Sequence, residues 1–179
     1  MRKPVVVRRL GIADAEDYRA IRLSALKTAP EAFGSVHALE APRPIEMHAE
    51  RLTSSLVLGA YDNETIVGMI GFKQEGGPKD AHKGFLWGFY VEPESRKQGV
   101  GAALVAAVLQ AARAVVEQVT LTVVEENSAA IALYERFGFM RYGLEPRALK
   151  TEAGYSNEVL MVLFLNGPAP PEFLAPLPA

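Results

Sequence analysis

The chain has 179 residues, of which 49% are hydrophobic and 22% charged, with a formal net charge of −2 and no cysteine. That length suits one domain with a sizeable core, and the near-neutral balance argues against a protein that grips nucleic acid by neutralising phosphates. The missing cysteines exclude disulfides, thiolate metal sites and a cysteine nucleophile and suit a reducing cytoplasm; no apolar run approaches the ~20 residues that cross a bilayer, so neither nucleic acid nor membrane is an expected partner.

Val5 to Leu10 is short and β-branched and predicts a first strand. Asp14, with Asp17 three residues on, offers a capping box, and Tyr18, Ile21, Ala25 and Leu26 recur at helical spacing, so a helix is expected over 15–28, stopped by Pro30. Glu31 to Arg43 has no clear period and reads as either a substrate-facing loop or a plain connector. A second helix is expected over 45–52. Ser55 to Tyr61 and Glu64 to Gln74 flank the turn pair Asp62-Asn63 and read as a hairpin; Gly68 and Gly71 in its second arm suggest bulges or close packing. Glu75 to Lys83 is polar and loop-like. Phe85 to Val91 is apolar on both faces, which predicts a central strand, with Gly88 a candidate bulge.

Pro93 ends that strand, and Arg96-Lys97-Gln98-Gly99-Val100-Gly101 leads into an apolar helical segment with Leu104, Val105, Val108, Leu109, Ala112 and Val115 on one face. A strand feeding a helix through such a loop leaves backbone N–H groups open at the helix N-terminus, where the helix dipole favours an anion. Arg96 or Lys97 could add a charge-assisted contact. The pattern Arg-x-x-Gly-x-Gly lacks the Gly-Lys-Ser/Thr of a Walker loop and has Leu104 where the dinucleotide fingerprint wants Gly or Ala, so on its own it reads as an anion site or as turn geometry.

Gln118 to Val124 reads as a parallel strand completing a right-handed β-α-β unit, and Ser128 to Phe137 as a helix closed by Gly138. Phe139 to Leu144 starts another strand, Pro146 to Gly154 reads as a polar loop, and Tyr155 to Leu165 as a last strand. The segment 167–179 is proline-rich and reads as an extended tail behind a single domain over 1–166. The histidines, His37, His48 and His82, show no metal-ligand spacing, and no metal is expected.

The element order, the Arg96–Gly101 loop after the fourth strand, and a second motif, Asn127-Ser128-Ala129-Ala130-Ile131-Ala132-Leu133-Tyr134-Glu135-Arg136-Phe137-Gly138-Phe139, together resemble the GNAT superfamily of acetyl-CoA-dependent N-acetyltransferases. The segments Arg22–Leu26, Pro30–Phe33 and Glu145–Lys150 are similar to bacterial members with unassigned substrates. The resemblance implies an α/β fold with a mixed, twisted sheet of about seven strands, about four helices, and central parallel strands that splay to admit the pantetheine arm of coenzyme A. It implies that Gln98, Gly99, Val100, Gly101 and Ala102, helped by Arg96 and Lys97, hold the pyrophosphate. Phe89, Tyr90 and Val91 offer backbone to the arm, with Val91 N–H at the reacting carbonyl oxygen. Asn127 binds the arm or caps its helix, and Tyr134 is either the general acid toward the departing thiolate or a core residue at helical spacing.

The activity so implied is transfer of acetyl from acetyl-CoA directly to a primary amine of a small molecule, peptide or protein. The alternatives are a silent acyl-CoA-binding module and a nucleotide-binding β-α-β protein. The amine must lose a proton before it attacks, and Glu40, Glu46, His48, Glu75 and Glu92 are all available; no spacing selects one. The acceptor entrance falls to the loops 31–43, 75–83 and 146–154. Pairing of relatives through C-terminal strands makes a homodimer using residues 155–165 the expected assembly.

Overall fold

A computed structural model describes residues 5–169; the N-terminal four residues and the proline-rich segment from 170 onward lie outside the described residues. Seven strands form one mixed sheet in the order β1-β2-β3-β4-β5-β7-β6. They are β1 (Val6–Arg9), β2 (Leu56–Asp62), β3 (Thr65–Gln74), β4 (Lys83–Val91), β5 (Gln118–Val124), β6 (Met140–Thr151) and β7 (Gly154–Phe164). Five α-helices accompany them: α1 (Ala15–Thr28), α2 (His37–Glu40), α3 (Ile45–Ser54), α4 (Val100–Ala112) and α5 (Ser128–Arg136). Among the described residues, no helix is long and apolar enough to cross a membrane. The chain divides into two compact units, residues 5–73 with 86–112, and residues 74–85 with 113–169.

In the first unit, β1, β2 and β3 are joined antiparallel, with Val6 opposite Tyr61 and Leu56 opposite Phe72. The alternation of apolar side chains along β2 and β3 places Val57, Tyr61 and Met69 on one face, where they pack with Tyr18, Ile21 and Ala25 of α1 and Leu52 of α3. The opposite face receives α4: a β-carbon at Gly68 would stand 3.0 Å from Leu104. A β-carbon at Gly71 would fall within the Trp87 ring, so close approach of β4, rather than a bulge, is why this strand carries a glycine there.

The second unit contains the parallel ladder between the start of β4 and β5, with Lys83 opposite Gln118, Gly84 opposite Val119 and Phe85 opposite Thr120. β7 runs antiparallel to β5 from Gln118↔Phe164 to Val124↔Glu158, and β6 forms the edge beyond it.

Four local expectations change. The Asp14–Asp17 capping box does not form: Asp14 accepts from Arg8 at 2.8 Å and from the Gly11 N–H at 2.8 Å, while Asp17 accepts from the Tyr61 hydroxyl at 2.9 Å. Residues 37–40, read as loop, make the single turn α2. The helix α4 stops at Ala112, leaving Val115 exposed although it continues the apolar spacing. The stretch 146–151, read as loop, is the second half of β6. Pro146 fits because β6 is an edge strand and its register with β7 shifts between Glu145 and Leu149, where the missing N–H takes no ladder bond away.

Candidate functional site

The end of β4, the loop after it and the start of α4 lie in the first unit and carry ten of the sequence-predicted residues, Phe89 to Val91 and Arg96 to Ala102. Glu92 donates its N–H to Val67 of β3 at 2.9 Å. Successive N–H groups of a strand point to opposite edges, so the Val91 N–H is aimed away from β3. A 3-10 turn, Pro93–Ser95, then reverses the chain. Arg96 folds back: its Nε donates to the Val91 carbonyl at 2.9 Å, and its guanidinium lies 5.8 Å from the Tyr90 ring centroid. Gln98 donates to the Glu94 carbonyl at 2.6 Å. Lys97 (φ +59°) and Gly99 (φ +84°) are both left-handed.

At the helix start, the Ala103 N–H reaches the Gly99 carbonyl at 2.9 Å and begins the helical ladder. The amides of Val100, Gly101 and Ala102 precede that ladder and lie at its open end. A β-carbon placed on Gly99 meets nothing within 4 Å. The surface there is bare backbone beside open space, at the positive end of a thirteen-residue apolar helix. That geometry fits a phosphate group.

Upstream, Gly88 interrupts β4 with φ +63°, and the Arg22 Nη1 of α1 stands 3.9 Å from where its β-carbon would be. Arg22 is itself fixed by a bidentate ion pair with Glu40 of α2, at 3.0 and 2.8 Å. Both side chains are buried. Burial alone would push the Glu40 carboxyl up, but the Arg22 guanidinium outweighs it and holds the carboxyl at about 2. Glu40 is therefore an ionised structural partner and no proton acceptor. Phe33 lies between Arg22 (5.4 Å to the ring) and Tyr90 (6.5 Å between centroids), and the Tyr90 hydroxyl donates to Glu92 at 2.9 Å. Burial and Glu92 both keep that phenol protonated. Of the other acids considered, Glu46 and Glu75 are exposed.

The second unit holds Asn127 and Tyr134, near opposite ends of α5. Asn127 caps the helix, its Oδ1 accepting from the Ala130 N–H at 3.2 Å. Tyr134 is 5% exposed and meets Phe139 edge to face at 5.6 Å. Burial pushes its phenol up, so it stays protonated at every ordinary pH.

Two acids on neighbouring strands also meet in this unit, a pairing that no local sequence signal announces. Glu158 of β7 lies opposite Glu145 of β6. Burial pushes the Glu158 carboxyl up and Glu145 adds to it, while the Thr122 hydroxyl works against both. Asn157 ties the region together, donating to Glu125 at 2.9 Å and accepting from the Arg147 N–H at 3.0 Å, where Arg147 takes φ +56°. The Glu145–Glu158 opposition depends on register beyond residue 144, so a reading of 146–154 as loop concealed it. Among the described residues, no cluster of three or more His, Asp or Glu is arranged for a metal ion.

A model of the acetyltransferase (GNAT) family matches residues 20–139. No curated protein matches the chain significantly. Solved structures are similar in fold. A GNAT-family acetyltransferase from Streptococcus pneumoniae superposes with a TM-score of 0.80 at 21% identity, covering 90% of this chain and 99% of that one. A Salmonella typhimurium protein, solved with acetyl-CoA as its cofactor, gives 0.79 at 19% identity over 94% and 98%. The ribosomal-protein-alanine N-acetyltransferase from Brucella melitensis gives 0.77 at 22% identity over 89% and 99%.

Proposed function

The chain belongs to the GNAT family of acetyltransferases, and from that premise we propose that it transfers the acetyl group of acetyl-CoA directly to a primary amine of a small molecule, peptide or protein. The observation that carries this reading is the open start of α4, where Gly99 at φ +84° leaves backbone amides beside empty space after a loop pinned by Arg96 to the Val91 carbonyl. The Salmonella relative's acetyl-CoA supports the choice of ligand.

Acetyl-CoA supplies an activated thioester, whose sulfur leaves as the amine takes the acetyl group. The residues of this chain then divide the work. The amides of Gln98, Gly99, Val100, Gly101 and Ala102 bind the pyrophosphate, with Lys97 adding charge. Arg96 positions this loop through Val91 while its outer nitrogens stay available to phosphate. Backbone of Phe89, Tyr90 and Val91 takes the pantetheine amides as an added strand, and the Val91 N–H polarises the thioester carbonyl. Asn127 caps α5 with its oxygen and offers its amide N–H groups to the arm. Tyr134 hydrogen-bonds the sulfur as negative charge develops there. A free thiol has a pKa near 8.5 and a phenol near 10, and burial raises the phenol further. Full proton transfer from Tyr134 is therefore uphill, and its contribution is a hydrogen bond that strengthens toward the transition state.

The test is thiol release from acetyl-CoA across a panel of primary amines, with the mass of the product giving the acceptor. Tyr134→Phe should lower kcat by about a hundredfold while leaving the CoA dissociation constant unchanged, as expected for a group acting on the leaving atom. Tight CoA binding, no thiol release on any amine and an unaltered Tyr134→Phe profile would establish the silent acyl-CoA-binding module instead.

A further inference from the structure

A cavity of about 200 Å³ lies against α1, α2 and α3 of the first unit, lined in part by Tyr18, Glu40, Arg43, His48, Arg51 and Ser54. It shares no residue with the acetyl-CoA roles proposed above. Two of its polar walls are unsatisfied. Tyr18 is 1% and His48 4% exposed; the His48 Nε2 has no hydrogen-bond partner among the described residues, and the Tyr18 hydroxyl has none in good geometry, although the Arg51 guanidinium acts on it. A buried polar atom left unpaired is costly, and two of them on side chains that line one cavity are unusual in a native fold.

The charges around the cavity are unequal. Glu40 gives both carboxylate oxygens to Arg22. Arg43 reaches the same carboxylate only at 3.9 Å. Arg51 lies 5.4 Å over the Trp87 ring and makes no ion pair among the described residues. Glu50, the other acid in the lining, is exposed to solvent. Burial pushes the His48 imidazole down, and Arg19, Arg43 and Arg51 push the same way against Glu40, so it is neutral near pH 7 and keeps one N–H to give. The remaining hydrogen-bonding capacity is thus rich in donors: the guanidiniums of Arg43 and Arg51 and the Tyr18 phenol, joined by His48 in the tautomer that carries its proton on Nε2.

We infer that this cavity binds a small oxyanion, a carboxylate or a phosphate, held by Arg43 and Arg51 and hydrogen-bonded by Tyr18 and His48. Guanidiniums suit both anions because their paired N–H groups match two oxygens of either. At about 30 Å³ per water, the volume takes a molecule of roughly six or seven heavy atoms. Inorganic phosphate and malonate both fit.

The chain has three histidines, so ring-carbon NMR reads the site directly, with the His48 signal identified by its loss in His48→Gln. Inorganic phosphate and malonate are titrated separately at ionic strength held constant with sodium chloride. The expected result is a saturable shift of the His48 signal with at least one of the two anions, with His37 and His82 unmoved. Which anion acts identifies the chemistry. Affinity should fall by about tenfold in Arg51→Gln, the loss of one charge-assisted contact. Arg43→Gln, on a partly exposed side chain, serves the same purpose if Arg51→Gln disturbs the packing on Trp87. The inference is overturned if neither anion gives a saturable shift by about 50 mM, which would be weaker than any useful site, or if sodium chloride alone gives the same shift. It is also overturned if binding survives undiminished in both arginine variants. None of these readouts involves acetyl-CoA, so the result stands apart from the acetyltransferase reading.

Discussion

Replacing Gly99 separates the backbone demand of the loop from its ligand chemistry. At φ +84° a β-carbon costs roughly 1–2 kcal/mol, and because nothing lies within 4 Å of it, no clash adds to that cost in the free protein. Gly99→Ala should therefore fold and melt about 2–8 °C lower, taking 2–4 °C for each kcal/mol in a chain of this size. Gly99→Glu should fold with a similar penalty, since its side chain extends into solvent. The ligand sees the two changes differently. A methyl group narrows the approach of a phosphate to the amides of Val100 and Gly101. A carboxylate at about 5 Å from each phosphate adds roughly 1–3 kcal/mol of repulsion per phosphate charge, for an effective dielectric between 80 and 20. With 1.4 kcal/mol per factor of ten, CoA affinity should drop by about a hundredfold or more in Gly99→Glu and by much less in Gly99→Ala. Titration calorimetry with CoA, beside thermal melts of all three proteins, measures both quantities. The Gly99→Glu deficit should also shrink at about 1 M salt, where the Debye length is near 3 Å. A folded Gly99→Glu protein that binds CoA within about threefold of the parent would refute the assignment of this loop to the pyrophosphate.

Two carboxylates with opposite shifts should leave opposite signatures in the pH dependence of stability. Glu40 sits at about 2 in the fold against an ordinary 4.5, so its contribution is complete above pH 4.5 and is lost as the pH falls toward 2. Glu40→Gln leaves Arg22 buried without its partner and should cost about 3–5 kcal/mol at pH 7; denaturant unfolding should show that gap narrowing below pH 4.5, and parallel curves would count against a buried ion pair. Glu158 is shifted up, so the fold is favoured by its protonated form below the ordinary value and loses that advantage as the pH rises through the folded one. Glu158→Gln removes the opposition to Glu145 and should stabilise the protein by about 0.2–1 kcal/mol at pH 7, with no gain at pH 4; a loss of stability at pH 7 would mean that Glu158 has a stabilising partner.

The parts of the fold that were legible share a physical property: their signal is carried by one face in one continuous segment. The helix over 15–28 and the strand over 118–124 show a clean apolar period and end at residues that cannot continue it, and the structure has both with those bounds. α2 and the second half of β6 have no such face. α2 is one turn long, and its buried member, Glu40, is an acid that a hydrophobic period does not count. β6 is an edge strand with Tyr142, Leu144 and most of its polar residues exposed, so it is held by the β7 ladder and not by a buried apolar row. Val115 errs the other way, carrying the right spacing past the point where α4 ends.

The same division runs through the functional residues. The proposed pyrophosphate loop from Arg96 to Ala102 carries local signals: its glycines, its cations and the helix start are all neighbours in sequence. The Arg22–Glu40 pair joins residues 18 apart, and nothing in either residue's surroundings along the chain announces the other. His48 shows this most clearly. Its neighbours in sequence suggest an ordinary surface histidine, and the lack of metal-ligand spacing supports that reading. Only when α3 packs beside Tyr18 of α1, with Arg19, Arg43 and Arg51 close by, does it become a buried, neutral imidazole whose Nε2 has no hydrogen-bond partner among the described residues. A ligand site built on a loop can be found from its own residues; one built between packed helices exists only after the packing is known.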